Sequence, residues 1–204
     1  YSIQRPAVLY KKHKGKQLIF AVVAKSKEGE RSVETKNLVG YESSFINLDS
    51  TKLGTAFFYL TLFECDKSEI DASTFERGDF NRIWEARVPS HGGFNDMRFR
   101  KWRPENMNYI QLNFEDGIIS GHRNYNYFFV DGIMNKPHLL ETYVGITQKR
   151  KMAKLNEDEY PDYWEYVFVD STDFIRIVDS VPFYWNQKRD LYTTPVNRRW
   201  TKEY

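Results

Sequence analysis

His122, Arg123 and Tyr125 lie within one short stretch, SGHRNYNY. An imidazole, a guanidinium and a phenol together supply a base, a carboxylate-neutralising cation and a hydroxyl. Brought to one side of a sugar carboxylate, they could remove the neighbouring proton. A second stretch, RFRKWRPENMNY, interleaves Arg98, Arg100, Lys101 and Arg103 with Phe99 and Trp102. Such interleaving stacks on sugars or bases and grips carboxylate or phosphate. As a strand it would set Phe99, Lys101 and Arg103 on one face and Arg98, Arg100 and Trp102 on the other. Trp and Arg dominate measured binding hot spots, and Pro104 holds Arg103 extended, so Arg100, Trp102 and Arg103 head the binding candidates. His91 joins them because the glycines of PSHGGFND leave its ring accessible.

None of the four histidines (His13, His91, His122, His138) stands two or four residues from another, so there is no sequence-local metal signature. The single cysteine, Cys65, excludes an internal disulfide and a Cys-rich metal site, and reads as a small buried hydrophobe at a strand end. The sequence therefore calls for no cofactor and no metal.

Two other acidic stretches need weighing. In SEIDASTFE, Glu69 and Asp71 resemble the first half of the E-x-D-x-x-E strand motif of jelly-roll endoglucanases. Glu76 falls two positions late, and Ser73, Thr74 and the neighbouring Gly78 read as loop rather than strand. In KLNEDEYPD, Asn156, Asp158 and Asp162 match the third, fifth and ninth positions of the D-x-N-x-D-G-x-x-D loop of integrin-type FG-GAP repeats. The resemblance implies a calcium-binding loop between two strands of a propeller blade. Lys154 stands where the first Asp belongs, and Glu159 replaces the Gly of the tight corner. A degenerate loop is expected, closing a hairpin by Asx-type hydrogen bonds and binding no calcium. In texture the chain is also similar to uncharacterised secreted or lipoprotein-type β-proteins of bacteria.

Positioning these residues falls to strands. The period is two almost throughout, and turn signals (EDG, DG, NKP, NEDEYPD, DST) punctuate the apolar runs. About ten short strands are predicted, forming an all-β antiparallel sandwich or curled sheet, with partial propeller-like blades as the alternative. Residues 17–25 and 31–38 read as a hairpin turning at Gly29, and residues 54–65 read as a central strand. On it Phe58, Leu60 and Leu62 should share a buried face, with Trp84 and Tyr166 as neighbours. A faint echo relates Tyr127, Phe129, Val130 and Asp131 to Tyr166, Phe168, Val169 and Asp170. One domain is expected over residues 1–204, with residues 66–79 as the place for a subdivision.

The hydrophobic fraction, 41%, suits a packed core, and the 17% aromatic content suits half-buried pleated surfaces and binding faces. Thirty basic against twenty-eight acidic residues give no general drive toward nucleic acid. The basic clusters, such as Lys149, Arg150, Lys151 and Lys154, read as solvated turn flanks. No transmembrane run of apolar residues is present. The chain starts without a Met, so an export segment upstream is expected, with a periplasmic, cell-surface or secreted location. The reading that follows is a non-catalytic binding or structural protein with a protein or glycan partner. Its alternatives are a jelly-roll polysaccharide lyase using His122, Arg123 and Tyr125, and an inhibitor or immunity partner of a secreted toxin. Oligomeric state is not encoded in any motif.

Overall fold

The computed structural model describes residues 2–25, 33–34, 52–53, 57–65, 80–89, 94–115, 122–170 and 174–196. The protein is all-β, with fourteen strands and every strand pair antiparallel among the described residues. It divides into two compact units, Tyr1–His91 and Gly92–Tyr204. Residues 66–79 lie outside the described residues.

The first unit holds a four-stranded sheet in the order β1 (Ser2–His13), β2 (Lys16–Lys25), β5 (Phe57–Cys65), β6 (Asn81–Val88). The short strands β3 (Val33–Glu34) and β4 (Lys52–Leu53) pair with each other. The expected hairpin partner of residues 17–25 is corrected here: β2 pairs with β1 on one side and β5 on the other. The reason lies at Lys14 and Gly15, which both have positive φ (48° and 82°). That geometry is the two-residue turn whose twist matches a hairpin, so β1 folds directly back onto β2. Along β2, Leu18 to Val23 are all buried, which is the mark of a strand covered on both faces. Leu60 and Leu62 are fully buried, Phe58 is half-buried, and Leu62 pairs with Trp84. Tyr166 belongs to the second unit.

The second unit is one eight-stranded meander, each strand pairing with its sequence neighbours. It runs β7 (Phe94–Trp102), β8 (Met107–Glu115), β9 (His122–Phe128), β10 (His138–Val144), β11 (Lys149–Ala153), β12 (Asp162–Asp170), β13 (Ile175–Asn186) and β14 (Leu191–Thr193). A continuous sheet replaces the separate blades of the alternative reading. The two echo segments also differ: Phe129 to Asp131 leave β9 for a turn, whereas Phe168 to Asp170 continue β12. Pro182 does not end the strand around it, because β13 has no described strand on its outer side until Tyr184.

This sheet is curled. Strands β10 and β14 are four places apart, which in a flat sheet means roughly 19 Å, too far for two side chains to meet. Yet His138 Nε2 lies 2.7 Å from the Tyr192 hydroxyl. Trp102, Tyr109, Phe128 and Leu140 from the first half pack with Tyr163, Val181, Phe183 and Tyr192 from the second. Pairing between β10 and β11 is limited to Tyr143–Arg150 and Val144–Lys149.

Candidate functional site

Register fixes what each face of β7–β10 presents. Asp96, Arg98 and Arg100 on β7 stand beside Asn113, Gln111 and Tyr109 on β8. These in turn stand beside Asn124, Asn126 and Phe128 on β9 and Thr142, Leu140 and His138 on β10. The end of this face carrying Tyr109, Phe128 and His138 is covered by the curl. Toward the other end it is polar and reaches solvent.

The amides there hold one another. Asn95 donates to Asn113 Oδ1 at 3.1 Å, and Asn113 donates to Asn124 Oδ1 at 2.9 Å. One residue pair along, Gln111 donates to Asn126 Oδ1 at 3.0 Å, and Asn126 donates to the Leu140 carbonyl at 2.9 Å and to Thr142 Oγ1 at 3.0 Å. Asn126 is fully buried, so its amide must be satisfied inside the protein, and these bonds fix the orientation of the row. Arg98 is exposed and held by Asp96, Nε to Oδ2 2.7 Å. Arg100 is exposed beside Tyr109, whose hydroxyl is pushed up by burial and drawn partly back by Arg100. His122 lies on this same face, at the end away from Arg100 and roughly 20 Å from it by strand rise.

Arg123 and Tyr125 point the other way, because successive side chains alternate. Tyr125 is buried, edge-on to Phe114 with centroids 5.3 Å apart. Arg123 Nη1 lies 2.5 Å from Glu141 Oε1. The trio proposed for proton abstraction is therefore split across the sheet, with His122 on one face and its two partners on the other. Trp102 is corrected from a binding residue to a core residue: it is 7% exposed and packs edge-on against Phe128. Arg103 is exposed in the turn after β7. His91 lies outside the described residues, as do Glu69, Asp71 and Glu76.

The solvated reading of the basic cluster is corrected at Arg150. Alternation on β11 turns Lys151 to solvent and Arg150 inward, where its side chain is 1% exposed. Its Nε lies 2.7 Å from Glu165 Oε2 and its Nη1 4.0 Å from Glu141 Oε2. The guanidinium carbon sits 4.2 Å from the Tyr163 ring centroid and 4.9 Å from that of Tyr143, whose hydroxyl donates to Glu165. Two arginines face two glutamates, so formal charges balance within the group, and both carboxylates are engaged. The sequence signal that would have found it is the alignment of Arg123, Glu141, Arg150 and Glu165 on neighbouring strands, which requires the register.

His138, partly buried, is a second polar group the sequence did not single out. The Tyr192 hydroxyl donates its one proton to the Pro161 carbonyl at 2.8 Å, so His138 Nε2 must be the protonated nitrogen donating to Tyr192. Trp185 and Tyr160 close edge-on around the ring at 4.4 and 5.1 Å. Burial lowers the His138 pKa to about 3, so the ring stays neutral.

In the Lys154–Asp162 loop the oxygens that a calcium ion would need are turned onto backbone donors. Asn156 Oδ1 accepts from Asp158 N at 3.2 Å, Asp158 Oδ1 from Tyr160 N at 2.9 Å, and Asp162 from Leu155 N at 3.0 Å and Trp185 N at 3.1 Å. The Lys154 ammonium bonds the Asp158 carbonyl and Glu105. The Asn156 and Asp158 bonds are Asx closures, and Asp162 ties the loop to its own start and to β13. Burial raises the Asp162 carboxyl, while the two backbone donors oppose that shift.

The chain matches no family model, no curated protein and no solved structure. The site therefore stands on its own geometry.

Proposed function

We propose that this is an extracytoplasmic, non-catalytic binding protein and that the polar face of β7 and β8 recognises a glycan. The observation carrying this reading is the mutually locked amide row, Asn95–Asn113–Asn124, beside the exposed Arg98 and Arg100. Sugar hydroxyls both donate and accept, as amides do, and a row already fixed by its own bonds loses little side-chain freedom on binding. Arg98 and Arg100 add rigid forks suited to a carboxylated sugar. The engagement of Glu141 by Arg123 and of Glu165 by the buried Arg150 favours binding over acid–base catalysis, since both carboxylates are held by arginines.

The test is a glycan array followed by calorimetry on the best ligand. Arg98→Ala and Arg100→Ala should each weaken binding at least tenfold with an unchanged melting temperature, which corresponds to about 1.4 kcal/mol or more. Retention of no glycan, or affinity unmoved by both substitutions, would overturn the reading. Selective capture of a protein through the same two arginines would reassign the face to a protein partner.

A further inference from the structure

The outer half of the β12–β13 hairpin extends past both flanking strands. β11 begins at Lys149, opposite Tyr166, so Val167–Asp170 have no described neighbour on that side. β14 pairs only with Tyr184–Asn186, so the outer edge of β13 is open from Ile175 onward among the described residues. The side chains on this ribbon are apolar and exposed: Val169, Phe174, Ile175, Ile177 and Val178 are each 41–47% accessible. An open strand edge flanked by apolar side chains is a template for pairing with another strand.

A bulge determines which strand fits. Phe168 pairs with Ile177 and Val167 with Asp179, leaving Val178 as the extra residue. Arg176 lies opposite Val169 and Asp179 opposite Val167, so the two charges share a face. Three positions apart on a regular strand, they would be on opposite faces. Ile175 and Ser180 share the other face, opposite Asp170 and Tyr166. The Phe174 ring, 5.0 Å from the Arg176 guanidinium carbon, holds that side chain along the strand.

Two identical strands joined antiparallel about a two-fold axis normal to the sheet must pair residues of the same face. With the axis between Ile177 and Val178, Arg176 meets Asp179 of the second copy, twice. Ile175 then meets Ser180, and Ile177 meets Val178. The bulge makes this charge-complementary register possible. We infer that the β13 edge, through residues Ile175 to Ser180, joins two copies of this chain into one continuous sheet. The apolar surface involved is a few hundred Å² per copy, below the ~800 Å² of a standard partner surface, so the dimer should be reversible.

Sedimentation equilibrium over a concentration series tests this. The protein should pass from monomer to dimer as concentration rises. Arg176→Asp alone and Asp179→Arg alone each oppose like charges and should weaken association at least tenfold. The double variant Arg176→Asp/Asp179→Arg should restore it, and an equimolar mixture of the two single variants should form a heterodimer. Ile177→Ser, which leaves the charges intact, should also weaken it. A protein that stays monomeric at all concentrations overturns the inference. So does a dimer indifferent to the charge reversals, or one that the double exchange fails to rescue.

Discussion

One hairpin, β12–β13, has two halves of similar composition and opposite fate. In the inner half Tyr163 and Phe183 are fully buried and Val181 nearly so. In the outer half Val169, Ile175 and Ile177 are each more than two-fifths exposed. The difference lies in the neighbours, not in the residues. The inner half is flanked by β11 and β14 and covered by the curl, which adds His138 and Phe128 from distant strands. The outer half has only its own pair. Apolar character makes a strand able to be buried, and the surrounding strands decide whether it is.

Three measurements would break or sharpen that contrast. The largest effect is expected in the inner half from Arg150→Met. Glu165 would then lie buried without its counter-charge, and urea unfolding should show a loss of about 3–5 kcal/mol. A loss below 1 kcal/mol would mean that the inner half is held by apolar packing alone. The Arg150→Met/Glu165→Gln pair should recover part of the loss.

Next comes acidity. His138 is neutral in the folded state down to a pKa of about 3, whereas the unfolded chain takes up the proton near 6.5. Stability from this residue is complete above pH 6.5 and declines as pH falls toward 3, by about 1.4 kcal/mol per pH unit. Between pH 6.5 and 4.5 the wild type should lose about 2 kcal/mol more than His138→Gln. Asp162, whose raised carboxyl acts in the opposite sense, is common to both proteins and drops out of the comparison. Parallel pH profiles would show that the nest around His138 admits water.

The smallest effect belongs to the outer half. Ile177→Ser should change the stability of the dilute monomer by no more than about 0.5 kcal/mol. A larger loss would mean that the exposed face is covered in solution even without a second copy.

Strand content was legible because it is local: Ile110, Leu112 and Phe114 alternate with Tyr109, Gln111 and Asn113, a period of two that marks one strand. Face assignment on β7 was legible for the same reason, since alternation alone separates Arg98, Arg100 and Trp102 from Phe99, Lys101 and Arg103. What was not legible is whatever depends on strands meeting. Trp102 turned into the core because Phe128 awaits it two strands away. Arg150 looked solvated between two lysines until Glu165 was placed beside it. His138 acquires its role from Tyr192, 54 residues on. The His122–Arg123–Tyr125 set looked compact in the sequence, yet adjacency along a strand places neighbours on opposite faces.

The meander order of the second unit bears on how the chain is made. From β7 to β14 each strand pairs with the one just completed, so every closure spans a single turn and its entropy is small. The sheet can grow one strand at a time as the chain leaves the ribosome. The first unit differs, because Lys25 must wait for Phe57 before β2 gains its second neighbour. In the second unit the curl is the long-range step: the bond from His138 to Tyr192 cannot form until residue 192 has been released. Growth is sequential, and the seal on it must wait for β14.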